Sequence, residues 1–110
     1  RGQAADGSRY LSRATLEAAM INRTPGMAQG RGLSFYLPWY DRGYIGDLFP
    51  KESIGHTGFT GTSFTLDPTT GLYIVFLTNR VCPSRENLGI YRVRRLLHNA
   101  VMAERDWSFT

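Results

Sequence analysis

The sequence predicts an α+β fold, an antiparallel sheet flanked by helices. Three observations predict it. Segments with helical spacing of apolar residues stand near both ends of the chain, at about 12–22 and 87–104. Between them lie short runs rich in β-branched and aromatic residues, punctuated by Gly, Pro and Asp. Two of these runs, 61–66 and 72–79, are joined by the turn Asp67-Pro68-Thr69-Thr70-Gly71 and read as an antiparallel hairpin.

The elements follow in chain order. Ser12 is the expected N-cap of the first helix, and Leu16, Ala19 and Met20 form its apolar stripe. Asn22-Arg23-Thr24-Pro25-Gly26 stops it, because Pro25 disfavours helix at Thr24. After the turn Gln29-Gly30-Arg31-Gly32, residues 33–37 alternate as a strand with Leu33, Phe35 and Leu37 on one face, ended by Pro38. Residues 39–52 hold Trp39, Tyr40, Tyr44, Leu48 and Phe49 between turn residues and read as a packed, aromatic-rich loop. Residues 54–58 are a short strand and 61–66 a second, alternating one. In the turn, Pro68 presets φ and Gly71 is free to take positive φ. Residues 72–79 are nearly all apolar at first, which predicts a central strand buried on both faces. The last helix, capped by Ser84 or Asn87, has Ile90, Val93, Leu97, Ala100 and Val101 along one side, with Leu96 widening the stripe.

Composition narrows the function classes. The 110 residues allow one domain, and with 42% hydrophobic residues the chain can bury a core. No apolar run reaches the roughly 18–20 residues of a membrane helix. The net charge of +4 comes from 12 Arg and one Lys, mostly scattered, so it permits a weak anionic partner without requiring nucleic acid. Cys82 is the single cysteine, so no internal disulfide and no Cys-based zinc site is expected. No cofactor is implied.

Chemistry concentrates in Gly55-His56-Thr57-Gly58-Phe59-Thr60-Gly61-Thr62-Ser63-Phe64, where four of ten residues are Thr or Ser. On a strand edge such a run lets a ligand approach the backbone, and exposed N–H groups there can stabilise an oxyanion. His56 can exchange a proton near neutral pH. The competing reading is a glycine-rich strand packed tightly on a helix. His98, alone on the last helix, is expected at the surface or in interhelical packing.

His56-Thr57-Gly58, the alternating strand after it, the turn Asp67-Pro68-x-x-Gly71 and the apolar strand ending Thr78-Asn79-Arg80-Val81 resemble the C-terminal part of the serine β-lactamase and penicillin-binding-protein superfamily. The likeness is narrower to its class C β-lactamase-like group, with esterases and D-amino-acid peptidases. Leu11-Ser12-Arg13-Ala14-Thr15-Leu16-Glu17, Asn22 to Gly26 and Arg31 to Phe35 also fit, so it spans about residues 6–103. The resemblance implies acyl transfer to an active-site Ser followed by hydrolysis, on a β-lactam, ester or peptide. His56 takes the place of the family's Lys, giving hydrogen bonding or charge near the substrate carboxylate or proton shuttle. Thr57 offers its hydroxyl to that carboxylate. Gly58 keeps the strand thin, and the Phe59 N–H is one of two oxyanion donors.

Two departures stand out. No Ser has Lys three residues on, and no Tyr or Ser is followed two residues later by Asn. Both missing motifs precede the matched region in the family. The chain is therefore expected to be the C-terminal segment of a larger serine hydrolase domain, inactive alone, with the N-terminal portion of the same protein as its partner. His for Lys weakens the case for a dedicated β-lactamase and favours esterase or peptidase activity. Since unperturbed His titrates at about 6.5, carboxylate-bearing substrates are expected to bind better below that pH. Two other readings compete. One is anion binding by Arg85, Arg92, Arg94 and Arg95 on the last helix, whose stems otherwise cover the sheet. The other is self-association through uncovered edges.

Overall fold

A computed structural model describes residues 2–38 and 44–108. Its order is α1 (Arg13–Met20), β1 (Ile54–Thr57), β2 (Ser63–Leu66), β3 (Tyr73–Phe76) and α2 (Gly89–Ser108). The strands form one antiparallel sheet in the order β1-β2-β3. Ile54 pairs with Leu66, Thr57 with Ser63, Ser63 with Phe76 and Leu66 with Tyr73. The fold class is the expected α+β one.

Local chemistry sets the ends of the elements. Ser12 caps α1, its Oγ accepting from the Thr15 N–H at 3.0 Å. At α2, the Asn87 carboxamide accepts from the Gly89 N–H at 2.9 Å, so Asn87 serves the cap. The β2–β3 turn closes through Asp67 N–H to Leu72 C=O and Gly71 N–H to Asp67 C=O, both 2.8 Å, with Gly71 at φ +78°. Asp67 is fully buried. Its carboxylate accepts from the Thr69 N–H at 2.9 Å and from the Thr70 hydroxyl, and lies 3.9 Å from the Arg105 guanidinium.

The core sits between α2 and one face of the sheet. Tyr44, Ile45 and Phe49 pack with Met102, and Tyr36, Leu72 and Ile74 pad the cluster. The aromatic loop is therefore packed in its described half, although Leu48 is exposed. Trp39 and Tyr40 lie outside the described residues.

Three expectations are corrected. Residues 33–37 are not a strand: only the isolated bridges Arg31–Tyr36 and Tyr36–Gly55 form. Local turns use the backbone instead, with Leu37 N–H to Gly30 C=O, Gly32 N–H to Phe35 C=O and Leu33 N–H to Ala19 C=O, and Leu33 is exposed. Strand β3 is not buried on both faces. Tyr73, Val75 and Leu77 are 69%, 59% and 75% exposed, because α2 covers one face of a three-stranded sheet and β3 is its edge. The inward line of α2 is Ile90, Arg94, His98 and Met102, while Val93 and Leu96 are exposed. Two polar residues at helical spacing rotate the helix away from the setting its apolar residues suggest.

His98 is accordingly neither at the surface nor between helices. It is fully buried between α2 and the sheet, edge-on to Tyr44 and Phe49. Its Nδ1 lies 2.7 Å from the Arg94 C=O and its Nε2 2.8 Å from the Thr65 hydroxyl. A carbonyl only accepts, so Nδ1 carries the proton and Nε2 accepts from Thr65. Burial pushes the His98 pKa below its ordinary value, in keeping with a neutral ring.

Candidate functional site

The four residues singled out in sequence lie together where β1 runs into the β1–β2 turn. His56 and Thr57 end the strand. Gly58 and Phe59 begin the turn, which closes through Gly58 N–H to Thr62 C=O at 2.7 Å and Gly61 N–H to Gly58 C=O at 3.1 Å. Glycine is needed twice. A Cβ on Gly58 would run into the Thr62 hydroxyl. Gly61 holds φ +105°, and a Cβ there would meet the Thr78 hydroxyl.

Outside groups fix this turn. Arg80 Nε donates to the Phe59 C=O at 2.8 Å, and the Arg80 N–H to the Thr60 C=O at 2.9 Å. The same guanidinium donates to the carbonyls of Arg85 and Asn87 at 2.7 and 3.1 Å. It also lies 4.7 Å from the centre of the Phe59 ring. From α2, Arg94 donates to the Thr62 C=O at 3.0 Å. Burial lowers the Arg94 pKa from its ordinary value, but a guanidinium remains charged.

The two arginines take only carbonyls of the turn, and of its N–H groups Gly58 and Gly61 close the turn itself. Among the described residues nothing bonds the Phe59 N–H or the Thr57 hydroxyl. Phe59 itself is 62% exposed. An N–H and a hydroxyl so placed can donate to an oxyanion or a carboxylate.

His56 is exposed and held from two sides. Its Nδ1–H donates to the Thr57 C=O at 2.8 Å. Its ring stacks on Tyr36 at 4.2 Å between centres and 12° between planes. The Arg31 guanidinium lies 3.9 Å from the Tyr36 ring centre and donates to the Tyr36 hydroxyl at 3.0 Å. Backbone pairing brings Tyr36 here: Tyr36 N–H to Gly55 C=O at 2.7 Å, and Gly55 N–H to Tyr36 C=O at 3.1 Å.

Sequence reasoning missed Tyr36, Arg31 and Arg80 as contributors. Arg80 stood in the strand-end motif, yet nothing in that motif shows its reach to Phe59. The proposed basic face of α2 is also smaller than expected, since Arg94 is buried and points into the molecule. Arg92 and Arg95 stay exposed, and Arg95 lies 3.9 Å from Asp47. Among the described residues no cluster of three or more His, Cys, Asp or Glu is placed to hold a metal ion. No described helix is long and apolar enough to cross a membrane.

A family model described as Beta-lactamase matches residues 1–98. No curated protein matches the chain. With most of its length covered by that model, the chain belongs to the β-lactamase family.

Proposed function

We propose that this member of the β-lactamase family supplies one wall of a serine acyl-transfer site in a class C-like hydrolase, as the C-terminal segment of a single larger domain. The observation that carries the reading is the β1–β2 turn. Its carbonyls are tied down by Arg80 and Arg94, while the Phe59 N–H and Thr57 hydroxyl are left to a ligand.

In this reading the Phe59 N–H donates to the acyl oxygen as it gains charge, together with the N–H of the nucleophile. The nucleophilic Ser and its activating Lys lie in a portion of the protein upstream of Arg1. Attack forms the tetrahedral intermediate, expulsion of the amine or alcohol leaves an acyl-serine, and water then releases the acid. Thr57 donates to the substrate carboxylate. Gly58 admits the substrate close to the strand. His56 stands in the Lys position, which favours an ester or D-peptide substrate over a dedicated β-lactam one.

The upstream portion of the same protein is the proposed occupant of the open side of β3, where Tyr73, Val75 and Leu77 are exposed along an edge without charge or proline. Without it, the 110-residue chain is expected to self-associate through that edge. Sedimentation at micromolar concentration checks this, and a sharp monomer sinks it.

The functional test compares the 110-residue chain with the protein extended upstream through a Ser-x-x-Lys and a Tyr-x-Asn motif. The extended protein is expected to hydrolyse a p-nitrophenyl ester or a chromogenic cephalosporin, and the short chain neither. Turnover by the short chain, or an upstream sequence without either motif, overturns the reading.

A further inference from the structure

We propose that Tyr36 and Arg31 are positioning residues that fix the His56 ring in its Nδ1–H tautomer, with Nε2 presented at the site. This rests on the reading of His56 as a site residue. It adds the tautomer and ring orientation in which His56 acts and the two residues that impose them.

The tautomer follows from the contacts. The partner of Nδ1 is the Thr57 carbonyl, which only accepts, so the proton of a neutral ring sits on Nδ1. Nε2 then carries the lone pair. By the alternation of an antiparallel pair, Thr57 presents its backbone groups on the same outer edge as Gly55, whose own N–H and C=O go to Tyr36. The His56 ring thus lies along that edge, against Tyr36.

The stack keeps it there. His56 lies 4.2 Å from the Tyr36 ring centre and Arg31 3.9 Å. Two groups this close to one ring centre occupy its opposite faces, so Tyr36 is held between the guanidinium and the imidazole. Arg31 is itself anchored to the Tyr36 hydroxyl and to the Gln29 carboxamide, at 3.0 and 3.1 Å. An exposed imidazole on a strand edge would otherwise turn about its side-chain bonds. Here it loses that freedom to a flat surface below and a carbonyl beside it.

The test reads the tautomer directly. The 110-residue chain, labelled with ¹⁵N at histidine, is studied above pH 7.5 by long-range ¹H–¹⁵N correlation. His56 is expected as Nδ1–H in the wild type and in Tyr36→Phe. In Tyr36→Leu it is expected to go over mainly to Nε2–H, the form favoured by free imidazole, and in Arg31→Gln to do so in part. His98, bonded through Nδ1 to the Arg94 C=O within α2, reports an intact fold in each variant. Wild-type His56 as Nε2–H, or Nδ1–H retained in both Tyr36→Leu and Arg31→Gln, overturns the proposal. If Tyr36→Leu fails to fold, the wild type and Arg31→Gln decide. In the upstream-extended protein, Tyr36→Leu is expected to lower kcat about ten-fold with KM little changed. The tautomer measurement needs no turnover, so its failure is distinct from failure of the hydrolase reading.

Discussion

The two hairpin turns of the sheet solve the same geometric problem with opposite economies. The β2–β3 turn is organised around a carboxylate of its own, with Arg105 of α2 donating to the Thr70 hydroxyl at 2.9 Å. Asp67, fully buried, collects the Thr69 N–H and Thr70 hydroxyl, and its carboxylate faces Arg105. Its polar groups are spent on holding its own shape. The β1–β2 turn has no such side chain. It is held from outside by two arginines that take carbonyls only, and the Phe59 N–H and Thr57 hydroxyl are engaged by nothing described. A turn that consumes its donors is architecture, and a turn that is braced so as to keep them is available for a ligand.

Substitutions at the two turns should separate these roles. The largest loss is expected at Asp67→Ala, about 2–4 kcal/mol by chemical denaturation, because it removes a buried carboxylate and strands its partners. Losing less than 1 kcal/mol would put Asp67 outside the turn's architecture. Gly61→Ala is expected to cost about 1–3 kcal/mol, since Ala must adopt φ +105° and press on Thr78. Arg80→Gln is expected to cost about 1 kcal/mol globally. Its distinctive effect is faster amide exchange at residues 58–61, with the β2–β3 turn unchanged. Equal loosening of both turns would contradict external bracing of one. Thr57→Val is expected to change stability by less than about 0.5 kcal/mol. In the upstream-extended protein it should weaken carboxylate-bearing substrates about ten-fold.

Acidification is expected to act on the seam between α2 and the sheet. The folded His98 pKa is depressed by burial, so the unfolded chain binds the extra proton first. The stability it contributes is complete above its ordinary pKa near 6.5 and is lost as pH falls from there toward the folded value. Urea midpoints should therefore decline below pH 6.5 in the wild type and less steeply in His98→Gln. Parallel curves would remove His98 as the cause.

Much of this was legible in the sequence. The His56–Phe59 run is contiguous, so its placement needed only the strand that carries it. The Asp67–Gly71 turn announces itself through local chemistry. The Leu33–Leu37 alternation misled because Gly30 and Gly32 let the chain fold back and bond to itself and to Ala19. The apolar pattern of α2 misled because Arg94 and His98 take inward positions, each with a backbone or hydroxyl partner that periodicity does not show. The stack of Arg31 and Tyr36 on His56 joins segments 20 residues apart through one backbone bridge, and no local pattern encodes such a meeting.

The polar seam has one more consequence. A helix laid on a sheet by greasy residues alone has several comparable angular settings, since one aliphatic ridge fits a groove much like the next. Pegs that must meet particular sockets, His98 at Thr65 and Arg94 at Thr62, leave α2 a single azimuth and a single height along the sheet. Replacing His98 and Thr65 together by Leu and Val is therefore expected to leave the helix attached but poorly indexed, with resonances broader than those of the native chain.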